Sequence, residues 1–154
     1  MVPMSVEEIA KAVDGRLVAG DGPAIEATET VTDSRQAGSG AVFVAIKGER
    51  VDGHGFVDKV ADQGAAAAIV DHEVACTTMP QIVVEDTVAA LGLLAKHNID
   101  RRRQLPGAFD LIGLTGSVGK TTTKDLLSAL LSTLGPTVAP ILSLIHISEP
   151  TRRS

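Results

Sequence analysis

Residues 110–124, DLIGLTGSVGKTTTK, decide how the rest of the chain is read. Leu111, Ile112 and Leu114 make a strand-like apolar run, and a helix is expected over residues 122–134. Between them lies a glycine loop. Strand, glycine loop and helix in that order form a phosphate cradle, because glycines let the backbone turn its N–H groups onto phosphate oxygens at a helix N-terminus. Thr115, Gly116, Ser117, Val118, Gly119, Lys120, Thr121 and Thr122 are therefore the candidate contacts to a nucleoside triphosphate. Lys120 would carry positive charge to the β- and γ-phosphates as the catalytic residue, and the Thr121 hydroxyl is placed to hold Mg²⁺. The strict pattern G-x-x-x-x-G-K-[ST] is missed at one position, since Leu114 stands where the first glycine belongs. The competing reading is an ordinary glycine turn with a surface lysine. Thr121, Thr122 and Thr123 weigh against it: threonine is a poor helix former, so three in a first turn need a reason, and ligand contact supplies one.

Composition narrows the class. The chain has 154 residues and a 44% apolar content, with Phe43, Phe56 and Phe109 as its only aromatic residues, so any core must be built from alanine, valine, leucine and isoleucine. A net charge of −5 argues against nonspecific nucleic-acid binding, which requires a basic surface. The run Arg101-Arg102-Arg103 falls at an expected helix end, where cations offset the helix dipole. Cys76 is the single cysteine, which excludes an internal disulfide or a cysteine metal site and fits a reducing compartment. No segment reaches the roughly 18 apolar residues of a membrane span, and the N-terminus lacks a secretory pattern. A soluble, cytoplasmic protein without membrane insertion is expected.

Outward from the loop, strands alternate with helices, which predicts the α/β class. Ser5 to Glu8 reads as a capping box opening a short helix with Ile9, Ala12 and Val13 on its apolar face. Residues 16–19 and 24–30 flank Gly20-Asp21-Gly22 and read as a hairpin, and residues 30–34 as extended chain. Buried strands are expected over residues 41–46, 66–70 and 81–84, with a helix over 56–63 closed by Gly64. Asp86 or Thr87 caps a longer helix over 88–102 whose apolar positions include Leu91, Leu94, Ala95 and Ile99. Leu105-Pro106-Gly107 breaks both neighbours and marks a domain boundary, giving domains 1–105 and 106–140.

Two polar clusters follow predicted strands. Asp33-Ser34-Arg35 places a guanidinium where it could clamp a phosphate or carboxylate, or simply pair with Asp33 on the surface. Asp52-Gly53-His54-Gly55 reads either as a catalytic or metal cluster or as a turn with an incidental histidine. His72, His97 and His146 show no ligand spacing with it.

The segments TDSRQAGSGAVFVAIKGERVDGHGFV (residues 32–57), DQGAAAAIV (62–70), IVVEDTVAALGLLAKH (82–97) and IGLTGSVGKTTTKDLL (112–127), taken together, resemble the start of a bacterial Mur ligase of the MurF type. The resemblance runs from about residue 6 to 138. The shortened loop T-G-x-x-G-K-[ST] is that of the wider Mur ligase and folylpolyglutamate synthase superfamily, which accounts for Leu114. Lys47-Gly48-Glu49-Arg50, Asp86-Thr87 with Ala90-Leu91-Gly92, and Ser117-Val118 carry the MurF-type assignment; the sister ligase adding the third peptide residue typically has Thr-Asn at the last pair.

The resemblance implies a small N-terminal α/β domain for the UDP end of the substrate, followed by the first strand, phosphate loop and helix of an ATPase domain. It implies ATP and Mg²⁺ as cofactors, and UDP-MurNAc-tripeptide and D-alanyl-D-alanine as partners. The parent would be a monomeric amide-forming ligase of peptidoglycan synthesis, tied to cell shape and division. Ser34, Arg35, Lys47, Gly48, Asp52, Gly53, His54 and Phe56 become candidate substrate contacts. The alternatives are a third-residue ligase or a non-catalytic UDP-sugar-binding module.

Residues 142–152, LSLIHISEPTR, are similar to the in-frame translation of a widely used transposase sequencing adapter, so residues 141–154 read as a non-native tail. On this reading the chain is an inactive N-terminal part of the ligase. The helix after the loop would leave Leu126, Leu127, Leu130 and Leu131 without a full core.

Overall fold

In the computed structural model, which describes residues 1–18, 20, 26–48, 51–75, 78–107 and 109–139, the Ser5 hydroxyl accepts the Glu8 N–H at 3.2 Å and starts the first helix, Val6–Ala12 (α1). Only half of the expected capping box forms. The Glu8 carboxylate reaches away, to His97 Nε2 at 2.9 Å and Arg101 Nε at 3.3 Å. Ile9, Ala10 and Val13 are buried, whereas Ala12 is only half-buried.

The strands are Arg16–Val18 (β1), Glu29–Val31 (β2), Ala41–Val44 (β3), Ala67–Val70 (β4) and Gln81–Val83 (β5). They form one sheet in the order β1-β5-β4-β3-β2. Neighbours from β2 to β5 run parallel, and β1 lies antiparallel on β5. This overturns the predicted hairpin: β1 and β2 sit on opposite edges and do not pair. A glycine-rich turn signal is local, but pairing is decided by which edge offers an apolar partner, and Leu17 finds Ile82 opposite it on β5. Turn residues 21 and 22 lie outside the described residues, as do Glu49, Arg50, Cys76 and the tail 141–154.

Alternation along each strand feeds two cores. Val42, Val44, Ala67, Ile69 and Ile82 join Ile9 of α1 and Ala90 and Leu94 of the long helix Thr87–Gln104 (α3). Ala41, Phe43, Ala68 and Val70 join Val57 and Val60 of Val57–Asp62 (α2). β3 and β4 are buried on both faces, which is why their sequences are unbroken apolar runs rather than alternating ones. Asp86, not Thr87, caps α3, its Oδ1 accepting the N–H groups of Val88 at 2.7 Å and Ala89 at 3.0 Å. On α3 Leu94 is buried and Leu91 partly so, but Ala95 is exposed.

The chain divides into two units, Met1–Gly107 and Ala108–Ser154. In the second, the expected strand is absent: residues 109–116 adopt no regular structure, and Leu111 and Ile112 are 60% and 55% exposed. A strand needs a hydrogen-bonded neighbour, and none lies beside this one among the described residues. The helix Lys120–Leu131 (α4) does form, starting two residues earlier than predicted because Gly119 adopts a left-handed conformation (φ 76°) at its N-cap. No residue of α4 is buried, so Leu126, Leu127, Leu130 and Leu131 lack a core, as expected. Among the described residues no helix is long and apolar enough to cross a membrane.

Candidate functional site

Parallel strands place the residues that follow them along one edge of the sheet, and in open α/β sheets that carboxyl edge is where ligands bind. Asp33, Ser34 and Arg35 follow β2, residues 46–54 follow β3, and Asp71 and His72 follow β4. The predicted contacts from Ser34 to His54 thus lie at the ends of adjacent strands.

After β2, the Arg35 fork is engaged by Asp33: Nε lies 2.9 and 3.1 Å from the two carboxylate oxygens, and the terminal nitrogen 2.6 Å from Oδ2. The Arg35 N–H also donates to Asp33 Oδ1 at 3.0 Å. These bonds, the side-chain ones first, hold the Asp33 carboxyl down to about 2. Of the two sequence readings of Arg35, the surface pair is the one formed; its side chain is 81% exposed and remains reachable. Ser34 is buried.

After β3 the chain closes a tight loop. The Gly53 N–H donates to Ile46 O and the Gly48 N–H to Val51 O, both at 3.0 Å, and Lys47 pairs with Asp52 as an isolated bridge. A side chain at Gly53 would put its Cβ 2.8 Å from Ile46 N and 2.9 Å from Ile46 O, which is why only glycine fits. The 3₁₀ turn Gly53–Phe56 follows, capped by Asp52, whose Oδ1 accepts the His54 N–H at 3.0 Å. That backbone bond and then the ring bond lower the Asp52 pKa. Phe56 is half-buried and packs against the Val57–Val60 side of the core.

His54 is 5% exposed and held from both sides. Its Nδ1 lies 2.6 Å from Asp52 Oδ1, and its Nε2 accepts the Asp71 N–H at 3.1 Å, which sets the tautomer with the proton on Nδ1. The His72 ring stacks on it with centroids 4.5 Å apart and planes 22° off parallel, and His72 Nδ1 bonds Asp71 Oδ1. Sequence spacing gave His72 no link to His54; the parallel pairing of β3 and β4 supplies it. The available signal was a polar Asp-His pair directly after a fully apolar strand. His97 lies elsewhere, paired with Glu8.

The glycine loop of residues 115–122 stands in the second unit. Gly116 (φ 151°) and Gly119 (φ 76°) take conformations that other residues rarely adopt. No side chain caps α4, whose first main-chain bond is Thr123 N–H to Gly119 O at 2.9 Å. Lys120 folds its ammonium over the loop onto Gly116 O, and Thr121 is exposed beside it. An uncapped helix start, two left-handed glycines, a lysine across the loop and a free-facing threonine fit an Mg²⁺-bound triphosphate.

Comparison with known proteins identifies the family. The model of the Mur ligase family, catalytic domain, matches residues 26–99, which hold the parallel strands and part of α3. The chain belongs to the Mur ligase family, as its sequence segments led us to expect. More particularly, it is 35% identical over 131 residues to the UDP-N-acetylmuramoyl-tripeptide–D-alanyl-D-alanine ligase of Haemophilus influenzae, covering 85% of this chain and 27% of that protein. A crystal structure of MurF from Acinetobacter baumannii matches with a TM-score of 0.70 and 40% identity over 87% of this chain and 28% of its own. MurF ligase from Thermotoga maritima, solved in complex with ADP, matches with a TM-score of 0.55 and 36% identity, over 68% of this chain and 23% of its own. The chain therefore spans less than a third of the length of these relatives.

Proposed function

We propose that the protein is an ATP-dependent, cytoplasmic and monomeric ligase that joins D-alanyl-D-alanine to UDP-MurNAc-tripeptide, the step that completes the pentapeptide precursor of peptidoglycan. The observation that carries this reading is the uncapped, glycine-started α4 with Lys120 folded over its loop, in a chain of this family. Thr115 to Thr122 would hold the triphosphate, with Mg²⁺ at the Thr121 hydroxyl. The metal would neutralise charge on the phosphoryl group in transfer. The Lys120 ammonium, once released from Gly116 O, would do the same from the protein side, and the first N–H groups of α4 would orient the phosphates. The tripeptide carboxylate takes the phosphoryl group to become an acyl phosphate. The dipeptide amine then adds to its carbonyl, and the tetrahedral intermediate expels phosphate as the amide forms.

Residues 1–105 would hold the UDP end of the substrate. Arg35 exchanges Asp33 for the pyrophosphate, Lys47 adds charge, and Gly48, Asp52 and Gly53 shape the loop that approaches the nucleotide, with His54 bracing it and Ser34 and Phe56 flanking. For the 154-residue chain itself we propose substrate binding without turnover, because unit Met1–Gly107 has a closed core while α4 buries nothing. Calorimetry with UDP-MurNAc-tripeptide tests this: saturable heat that Arg35→Ala weakens is expected, and no heat would overturn it. An amide-forming assay on the intact gene product, offering D-alanyl-D-alanine or a diamino acid, separates this ligase from the third-residue type. Activity should fall at least about 100-fold in Lys120→Ala.

A further inference from the structure

We propose that His54, Asp71 and His72 form a binding site for one divalent transition-metal ion, of which Zn²⁺ is the ion that the donor set fits. One ligand atom from each of these residues lies within 4.8 Å of the others. Two imidazole nitrogens and one carboxylate oxygen make a three-ligand zinc set with a fourth position open to water, whereas Mg²⁺ and Ca²⁺ prefer all-oxygen shells.

The inner ligand is already oriented. His54 donates Nδ1–H to Asp52, the arrangement by which a carboxylate fixes the tautomer of a metal-binding histidine and turns its other nitrogen toward the ion. That nitrogen lies 3.2 Å from Asp71 Oδ1, so two electron-rich atoms face each other. A proton on Nε2 would relieve the contact but would then meet the Asp71 N–H, which now points at the same atom from 3.1 Å. A cation between Nε2 and Oδ1 would turn the lone-pair contact into two coordinate bonds. Binding gives up the Asp71 N–H bond to Nε2 and the His72 Nδ1 bond to Asp71 Oδ1, and requires the His72 ring to turn out of its stack so that the lone pairs converge. His72 is 63% exposed, so that rotation disturbs no core packing. Asp71 and His72 follow β4 directly, and the 3₁₀ turn that carries His54 is tied to the end of β3 by the Gly53 N–H on Ile46 O, so the site does not have to fold around its ion. The proposal does not depend on the ligase activity.

The test is a Zn²⁺ titration of the whole chain, in a Cys76→Ser background, against a chromophoric chelator, with Co²⁺ absorption as a second readout. One equivalent with a micromolar Kd and a ligand-field band from Co²⁺ is expected. His72→Ala and Asp71→Asn should each weaken binding more than about 100-fold, beyond what loss of an outer partner does. His97→Ala and His146→Ala should leave it unchanged. Because His72 is a surface residue, its variant keeps the fold, which circular dichroism checks. Absence of saturable binding, or binding that survives both His72→Ala and Asp71→Asn, overturns the site.

Discussion

Val42, Phe43, Ile69 and Ile82 in unit Met1–Gly107 are at most 1% exposed, whereas Leu111, Ile112, Leu126 and Leu130 in residues 109–139 are 55% to 68% exposed. Both regions are rich in aliphatic residues. The first closes because three β-strand pairings, spaced far apart in sequence, bring α1, α2 and α3 onto two faces of one sheet. Among the described residues the second shows local structure: glycine torsions, one lysine over a loop, and main-chain bonds along α4. A glycine loop and the helix after it can thus arise without a core, since glycine and helix propensity act within a few residues, whereas a strand cannot arise without a neighbour.

The largest expected contrast is in stability. Phe43→Ala should cost about 3–5 kcal/mol in urea unfolding, and Leu130→Ala no more than about 0.5 kcal/mol. Equal losses would break the comparison, since they would mean that α4 is buried in solution. Next come the glycines. Gly53→Ala pushes a methyl group into the Ile46 backbone and should lower stability by about 1–3 kcal/mol. Gly119→Ala strains a left-handed residue by about 1–2 kcal/mol, yet only the helicity of α4 should fall while the main melting transition stays in place. Asp86→Ala removes the cap of α3 and should cost about 1 kcal/mol, read as a lower thermal midpoint.

The smallest effect is electrostatic. The Asp33 carboxyl should titrate near 2 by NMR and move back toward about 3.9 in Arg35→Ala. Because folding depresses this pKa, the contribution of the pair is present above about 3.9 and is lost as pH falls through about 2. A midpoint unchanged by Arg35→Ala would show that the fork does not hold Asp33 in solution.

Much of the first unit was legible because its signals are local or periodic. Ser5 and Asp86 cap helices with side chains of the right type, and residues 41–46 and 66–70 are short apolar runs that read as buried strands. The hairpin failed because Gly20-Asp21-Gly22 advertises a turn without saying which strand lies opposite. Leu111, Ile112 and Leu114 failed in the same way, as strand formers without a partner. In the candidate site, Lys47, Gly48, Asp52, Gly53 and His54 fall within one short polar stretch and could be read as one loop. Asp71 and His72 could not be joined to them from sequence, because that contact exists only once β3 and β4 pair.

The two edges of the sheet carry a practical consequence for handling the chain. β1 and β2 are only three residues long, and Arg16 at the start of β1 pairs with Glu73 at 3.5 Å, so neither edge offers a long, flat template for another strand. Self-association in concentrated solution should therefore proceed through the leucines of α4. Replacing Leu126 and Leu130 with glutamate is the change expected to keep the chain monodisperse in light scattering, while substitutions along β1 or β2 leave its oligomer profile as it was.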